Sequence, residues 1–253
     1  MHLRLDALPP MPILDDLLAS LPSAPVAVRD VLVGVHWTVV RSRYAGMAAS
    51  LTSNHPHGHM HVRDVGRLHQ KSAQELAELA RSDDLLEASI GVAAVNSLLD
   101  VDESQARAVN AIAVLAERGR GLNVALIGHF PFIEELRQAV AQLWVIEQHP
   151  LEGEHPAAAA ADLLPKADVV AITASTLINH TLDGLLALCD RHSTVMILGP
   201  STPLSPVLFD HGAEIIAGTR VMDEAAVLRT VAQGAAFRQV EGTRLLTLFR
   251  QPA

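Results

Sequence analysis

Four histidines stand at alternate positions, His55, His57, His59 and His61, and imidazole is a ligand that zinc, nickel, cobalt and copper all accept. In an extended segment residues two apart point the same way, so the four rings line one face and pairs of them share a metal. The competing reading is a polar loop, because Asn54, Pro56 and Gly58 interleave the rings. Three further stretches set polar groups directly after apolar runs: GHFP at Gly128–Pro131, TASTLINHT at Thr173–Thr181 and GPSTPLSP at Gly199–Pro206. Hydroxyls and amides at helix starts cap backbone N–H groups, so each loop alone reads as capping. Three such loops converging on one sheet edge read as a site, with His129 its strongest candidate ligand and Phe130 beside it. His36 and His180 also stand next to such stretches, and each reads singly as a hydrogen-bonded structural histidine.

Glu147 closes the next apolar run roughly 20 residues after the first loop, where dinucleotide folds hold a ribose hydroxyl with an acid. GHFPF is not G-x-G-x-x-G, however, and Phe130 and Pro131 crowd the place where backbone must approach a pyrophosphate. The string therefore argues against a conventional NAD site, and a nucleoside-type ligand resembling S-adenosylmethionine stays open. Helix N-termini behind the loops would favour an anion or a carboxylate-bearing metal chelate.

The elements that position these groups follow from periodicity. Ile13–Leu21 reads as a short amphipathic helix, Val26–Val40 as a strand with a turn or bulge at Gly34, and Tyr44–Leu51 as a second strand. Helical patterns follow at Gln74–Ala80, Leu85–Leu98 and Glu103–Arg118. From Gly119 strands alternate with helices: Val124–Gly128, Leu143–Glu147, Asp168–Thr173, Thr194–Gly199, Glu214–Ala217 and Arg244–Phe249. That alternation implies a parallel sheet with right-handed crossovers. The fold class is α/β, a Rossmann-like domain at residues 120–253 preceded by a smaller α+β domain at residues 1–119. Asn96, polar inside the apolar helix IGVAAVNSLL, either caps or bridges to the facing domain or reaches the cleft between them. Trp37 and Tyr44 read as core or cleft wall.

Composition sets outer limits. The chain has 253 residues, 49% of them hydrophobic, yet no run reaches the roughly 20 apolar residues of a membrane helix. The N-terminus MHLRLDALPPMP has no basic segment followed by an apolar one, so a cytoplasmic location is expected. A net charge of -9 argues against nucleic-acid binding. Cys189, the only cysteine, excludes an internal disulfide and a multi-thiolate zinc site. Nothing matches a P-loop, a nucleophile elbow or a kinase motif.

The strings SIGVAAVNSLL (89–99), VALIGHFPF (124–132), LLPKADVVAITASTLINHTLDGLL (163–186) and LGPSTPLSPVLFDHGAEIIAGTRVMD (198–223) resemble the family that joins a DUF4213 domain to a DUF364 domain. The family's label is putative heavy-metal chelation. The resemblance implies an enolase N-terminal-like α+β domain packed on a Rossmann-like domain, and a protein that handles a transition metal or a small metal-chelating ligand. The ligand is then expected in the interdomain cleft, lined by Asn96, Gly128, His129, Phe130, Glu147, Thr173, Thr176, Asn179, Gly199, Pro200, Ser201 and Thr202. An enzyme holding a nucleoside-type cofactor is the alternative, and a scaffold whose polar loops only cap is a third. A symmetric homodimer is the expected assembly.

Overall fold

The computed structural model describes residues 11–52, 62–107 and 109–251. The histidine run His55–His61 lies outside the described residues. In chain order the elements are α1 (Pro12–Ala19), β1 (Asp30–Val33), β2 (Trp37–Arg41), β3 (Ala45–Ala49), α2 (Ala73–Ala77), α3 (Leu85–Leu98) and α4 (Ala111–Arg118). Then follow β4 (Asn123–Ile127), α5 (Ile133–Ala139), β5 (Gln142–Glu147), β6 (His155–Pro156), α6 (Ala160–Leu163), β7 (Val169–Thr173), α7 (Ser175–Ile178) and α8 (Leu182–Leu188). The chain closes with β8 (Thr194–Leu198), α9 (Val207–Asp210), β9 (Ile215–Val221), α10 (Glu224–Ala232) and β10 (Thr243–Phe249), and short 3-10 turns punctuate the rest.

Two sheets result. β1, β2 and β3 form an antiparallel meander, and seven strands form a second sheet in the order β10-β9-β8-β7-β4-β5-β6. The second sheet is parallel except for β10, which runs antiparallel to β9, so the all-parallel expectation fails at that edge. The connection from β9 passes through α10, which packs on the small sheet instead of crossing the large one, so the chain returns beside β9 in the opposite direction. The single strand expected over Val26–Val40 is two strands, folded back at Gly34, whose N–H donates to the Trp37 carbonyl. The helix expected over Glu103–Arg118 begins only at Ala111, capped by Asn110. Upstream, Asp102 accepts from the Ser104 N–H, a local turn that competes with helix, and Arg107 exchanges backbone hydrogen bonds with Thr247 of β10.

Strand alternation decides which face each side chain enters. Val124, Leu126, Leu143, Val145, Ala171, Met196 and Leu198 form one core with Leu115 of α4 and Leu136 of α5. Ala125, Ile127, Ile146, Val170, Ile172, Val195 and Ile197 face the other way, into a core shared with α1, α2 and α3. α3 is buried along nearly its whole length, as expected of a helix apolar on every side. Gly46 of β3 lets α3 lie directly on the small sheet: a Cβ there would meet the Ala93 carbonyl oxygen at 2.2 Å. The opposite face of that sheet, with Val39 and Met47, is covered by Val227 and Val231 of α10. Arg29 and Arg41 both clasp Glu224 at the start of α10, at 2.6 and 2.7 Å.

Candidate functional site

In the seven-stranded sheet the chain moves from β4 outward through β5 to β6, then returns to the other side of β4 for β7. The crevice beyond the carboxyl ends of β4 and β7 is thus the topological switch point, the place where open α/β sheets collect ligands. A cleft of about 700 Å³ opens there. Ile127, Gly128 and His129 enter it from the end of β4, Ile146, Glu147 and Gln148 from the end of β5, and Thr173, Ser175 and Thr176 from the end of β7. Ala157, Ala158, Ala160 and Ala161 with Leu185 and Leu188 make an apolar wall. From the first 119 residues, Leu51 alone among the described residues joins the lining.

His129 is held at two points. Its backbone N–H donates to Glu147 Oε1 at 2.6 Å, and its ring Nδ1 lies 2.6 Å from Glu154 Oε1. Glu154 is 6% exposed and also accepts from the Leu151 N–H at 2.9 Å. That backbone bond, ahead of the one from His129, holds its carboxyl below the usual carboxylate range. An ionised carboxylate only accepts, so Nδ1 carries a proton and Nε2 is the ring nitrogen left to meet a ligand. This is the arrangement that orients a metal-binding imidazole and fixes its tautomer.

Glu147 meets the loop with both oxygens, the second accepting from the Gln148 N–H at 2.9 Å. It lines the cleft while bracing the turn that carries His129. Gly128 in that turn has φ +110, open to glycine and strained for other residues, and a Cβ would press on Thr173 and on the Phe130 ring at 3.0 and 3.1 Å. Phe130 itself stacks on Phe132, 5.0 Å between ring centres, and does not line the cleft.

The second loop is mostly self-bonded. Thr176 Oγ1 donates to the Thr173 carbonyl at 2.6 Å, and Asn179 Oδ1 accepts from the Thr181 hydroxyl at 2.7 Å. His180 takes a left-handed backbone, φ +59, and sends Nε2 to the Ala80 carbonyl at 2.8 Å, stitching the loop to the chain's first half. The helices behind the loops are short, seven residues in α5 and four in α7. The expected anion attraction from helix N-termini therefore has little dipole behind it.

The third loop goes elsewhere. Ser201 is buried, its hydroxyl accepting from the Ala49 N–H at 2.8 Å, and Asn96 donates to the carbonyls of Met47 and Ser201 at 2.8 and 3.0 Å. Asn96 and Thr202 line a separate cavity of about 20 Å³ with Tyr44 and Arg220. Gly199 and Pro200 line neither space. The residues expected to share one cleft thus divide: His129, Thr176 and Asn179 face the large cleft, and Asn96, Ser201 and Thr202 form the seam between the two sheets. The physical reason is burial, because α3 and β3 are bonded to the loop after β8 through Ser201 and leave only the small cavity there.

Glu154 and the alanine wall were not foreseen. Glu154 sits in a loop 25 residues from its partner, and only the parallel pairing of β6 beside the end of β5 brings it near His129. Among the described residues no three His, Cys, Asp or Glu side chains are grouped to hold a metal ion. The half-buried Cys189 has its thiol pushed up by burial to about 11, which keeps it protonated and inert. No described helix is long and apolar enough to cross a membrane.

Comparison with known proteins gives two family matches, each described as "putative heavy-metal chelation": DUF4213 over residues 14–99 and DUF364 over residues 110–250. An uncharacterised protein of Methanocaldococcus jannaschii is 28% identical over 185 residues, 70% of either chain. The crystal structure of a DUF364-family protein of unknown function from Desulfitobacterium hafniense superposes with a TM-score of 0.81 at 27% identity, over 94% of this chain and 98% of that one. A DUF364-family structure from Pyrococcus horikoshii gives 0.76 at 19% identity with the same coverage, a likeness of fold.

Proposed function

The chain belongs to the DUF364 family with its attendant DUF4213 segment, and from that membership we propose that it handles a transition metal carried in a small chelating ligand, bound in the cleft at the β4/β7 switch point. The observation that carries this reading is His129, its Nδ1 tied to Glu154 and its Nε2 left to meet a ligand. One imidazole is too few ligands for a bare ion, since transition metals in proteins are held by several donors at once. A metal already wrapped in a chelator, with one coordination position open, needs only one. The alanine and leucine wall then receives the chelator's carbon skeleton, as ligand pockets generally pair an apolar wall with a few placed polar groups.

A second reading has support from Glu147, whose place at the end of β5 is where a nucleoside's ribose hydroxyls would be met. In that reading the protein is an enzyme with a nucleoside-type cofactor such as S-adenosylmethionine. Thermal shift separates the two. Stabilisation by nickel, cobalt, zinc or copper complexes that chelator abolishes supports the first, and stabilisation by adenosine-containing ligands in the presence of chelator supports the second. No shift with either class overturns both.

A further inference from the structure

We propose that the cleft sorts its ligands by charge, accepting cationic and neutral metal complexes and rejecting phosphates and carboxylate-rich chelates, with Glu147 and Glu154 as the specificity-determining residues. The inference rests on the metal reading above. No lysine or arginine lines the cleft among the described residues, while Glu147 lines it directly and Glu154 stands behind His129. Arg137, the guanidinium whose charge reaches Glu154, is itself 3.8 Å from Glu134, and the first turn of α5 carries both Glu134 and Glu135. Those two carboxylates offset what little positive field a seven-residue helix offers at the His129 loop.

The loop N–H groups that would hold an anion in a nucleotide-binding fold are also committed. The N–H groups of His129 and Gln148 both point at Glu147, and the Ser175 N–H points at the Thr173 hydroxyl. The protein has thus supplied its own anion where a phosphate would sit. What the cleft presents outward is Nε2 of His129 and the remaining lone pairs of Glu147, a carboxylate that can only accept. Acceptors and negative charge suit a ligand that brings N–H donors, a positive charge or an open metal position.

Two nickel complexes test this, because they share the metal and the number of open positions but not the sign of charge: the tris(2-aminoethyl)amine complex is cationic and the nitrilotriacetate complex anionic. Each is titrated calorimetrically into the full chain carrying His57→Ala and His59→Ala, which takes away the two central rings of the histidine run, and into the same chain with His129→Gln. The part of the affinity lost with His129 reports the cleft. The cationic complex is expected to bind through His129 about tenfold tighter or better, and Glu147→Gln and Glu154→Gln, assayed separately, should each narrow that gap. Equal or tighter His129-dependent binding of the anionic complex overturns the charge rule alone. Absence of a His129-dependent component for both complexes overturns the metal reading and the charge rule with it.

Discussion

Nδ1 of His129 and Oε1 of Glu154 meet at 2.6 Å, joining the loop after β4 to the start of β6 across the intervening strand β5. The bond sets the direction of the ring and puts a proton on Nδ1. Removing the carboxylate with Glu154→Ala should therefore lower affinity for a cationic nickel complex by about 10- to 100-fold, the usual effect of losing a residue that orients a metal-binding histidine. Glu154→Gln, whose amide oxygen still accepts from Nδ1–H, should lose less. Calorimetry decides it, and an Ala variant that binds like the parent protein removes Glu154 from the site.

Glu147 accepts from two backbone N–H groups, and glutamine has one acceptor oxygen for them. Glu147→Gln should cost about 1 kcal/mol, or roughly 2–4 °C in Tm for a chain of this size, while Glu147→Ala should cost more. If the nucleoside reading holds, the Gln variant also weakens adenosine-containing ligands. A melting curve identical to the parent's means that the turn does not depend on these bonds.

Glu87 is 3% exposed and bonded to Arg63 and Ser82. Burial pushes its carboxyl up, but the Arg63 and Ser82 hydrogen bonds outweigh it and the group sits below its usual range. A depressed pKa in the folded state gives stability that is present above the unfolded value, about 4.3, and is lost as pH falls through the folded value. Thermal melts from neutral pH downward should show a steeper acid limb in the parent than in Glu87→Gln. At neutral pH that variant should lose about 1–3 kcal/mol, short of the fully buried limit because Arg63 is 66% exposed. Parallel acid limbs would mean that Glu87 is not the group responsible.

The run His55, His57, His59 and His61 begins four residues after Leu51, a residue of the cleft lining. If it supplies imidazoles to a metal, replacing His57 and His59 together by Ala should cut nickel or zinc affinity at least tenfold, about 1.4 kcal/mol. Unchanged affinity in equilibrium titration leaves the run without a metal-binding role.

The parts of the fold legible in the sequence were those governed by periodicity. Whereas the two-residue β6 carries no such signal, strands β4, β5, β7 and β8 and the buried helix Leu85–Leu98 lie where alternation and unbroken apolar runs put them. So do the polar loops at the ends of β4 and β7, since a strand's carboxyl end is fixed once the strand is. Pairings between loops were not legible. Nothing local to Glu154 marks it as the partner of His129, and nothing local to Ser201 says that its hydroxyl will serve the Ala49 N–H. Asn96 was recognised as anomalous inside its helix, but periodicity cannot distinguish a polar residue that faces a ligand from one that laces two sheets together. The helix expected from Glu103 onward failed for a similar reason, because the backbone of Arg107 is claimed by a strand that arrives 140 residues later.

The cover that α10 lays over the small sheet sets an order of events on the ribosome. Val39, Ala45 and Met47 are synthesised well before the side chains that shield them, Val227, Val231 and Val240, which follow much later in the chain. Until then one face of the meander stays wet, and Arg29 and Arg41 have no carboxylate to clasp at the α10 end. A chain that has not yet reached residue 224 therefore leaves uncovered an apolar face that the folded protein buries, and the meander gains its full packing only once α10 is in place.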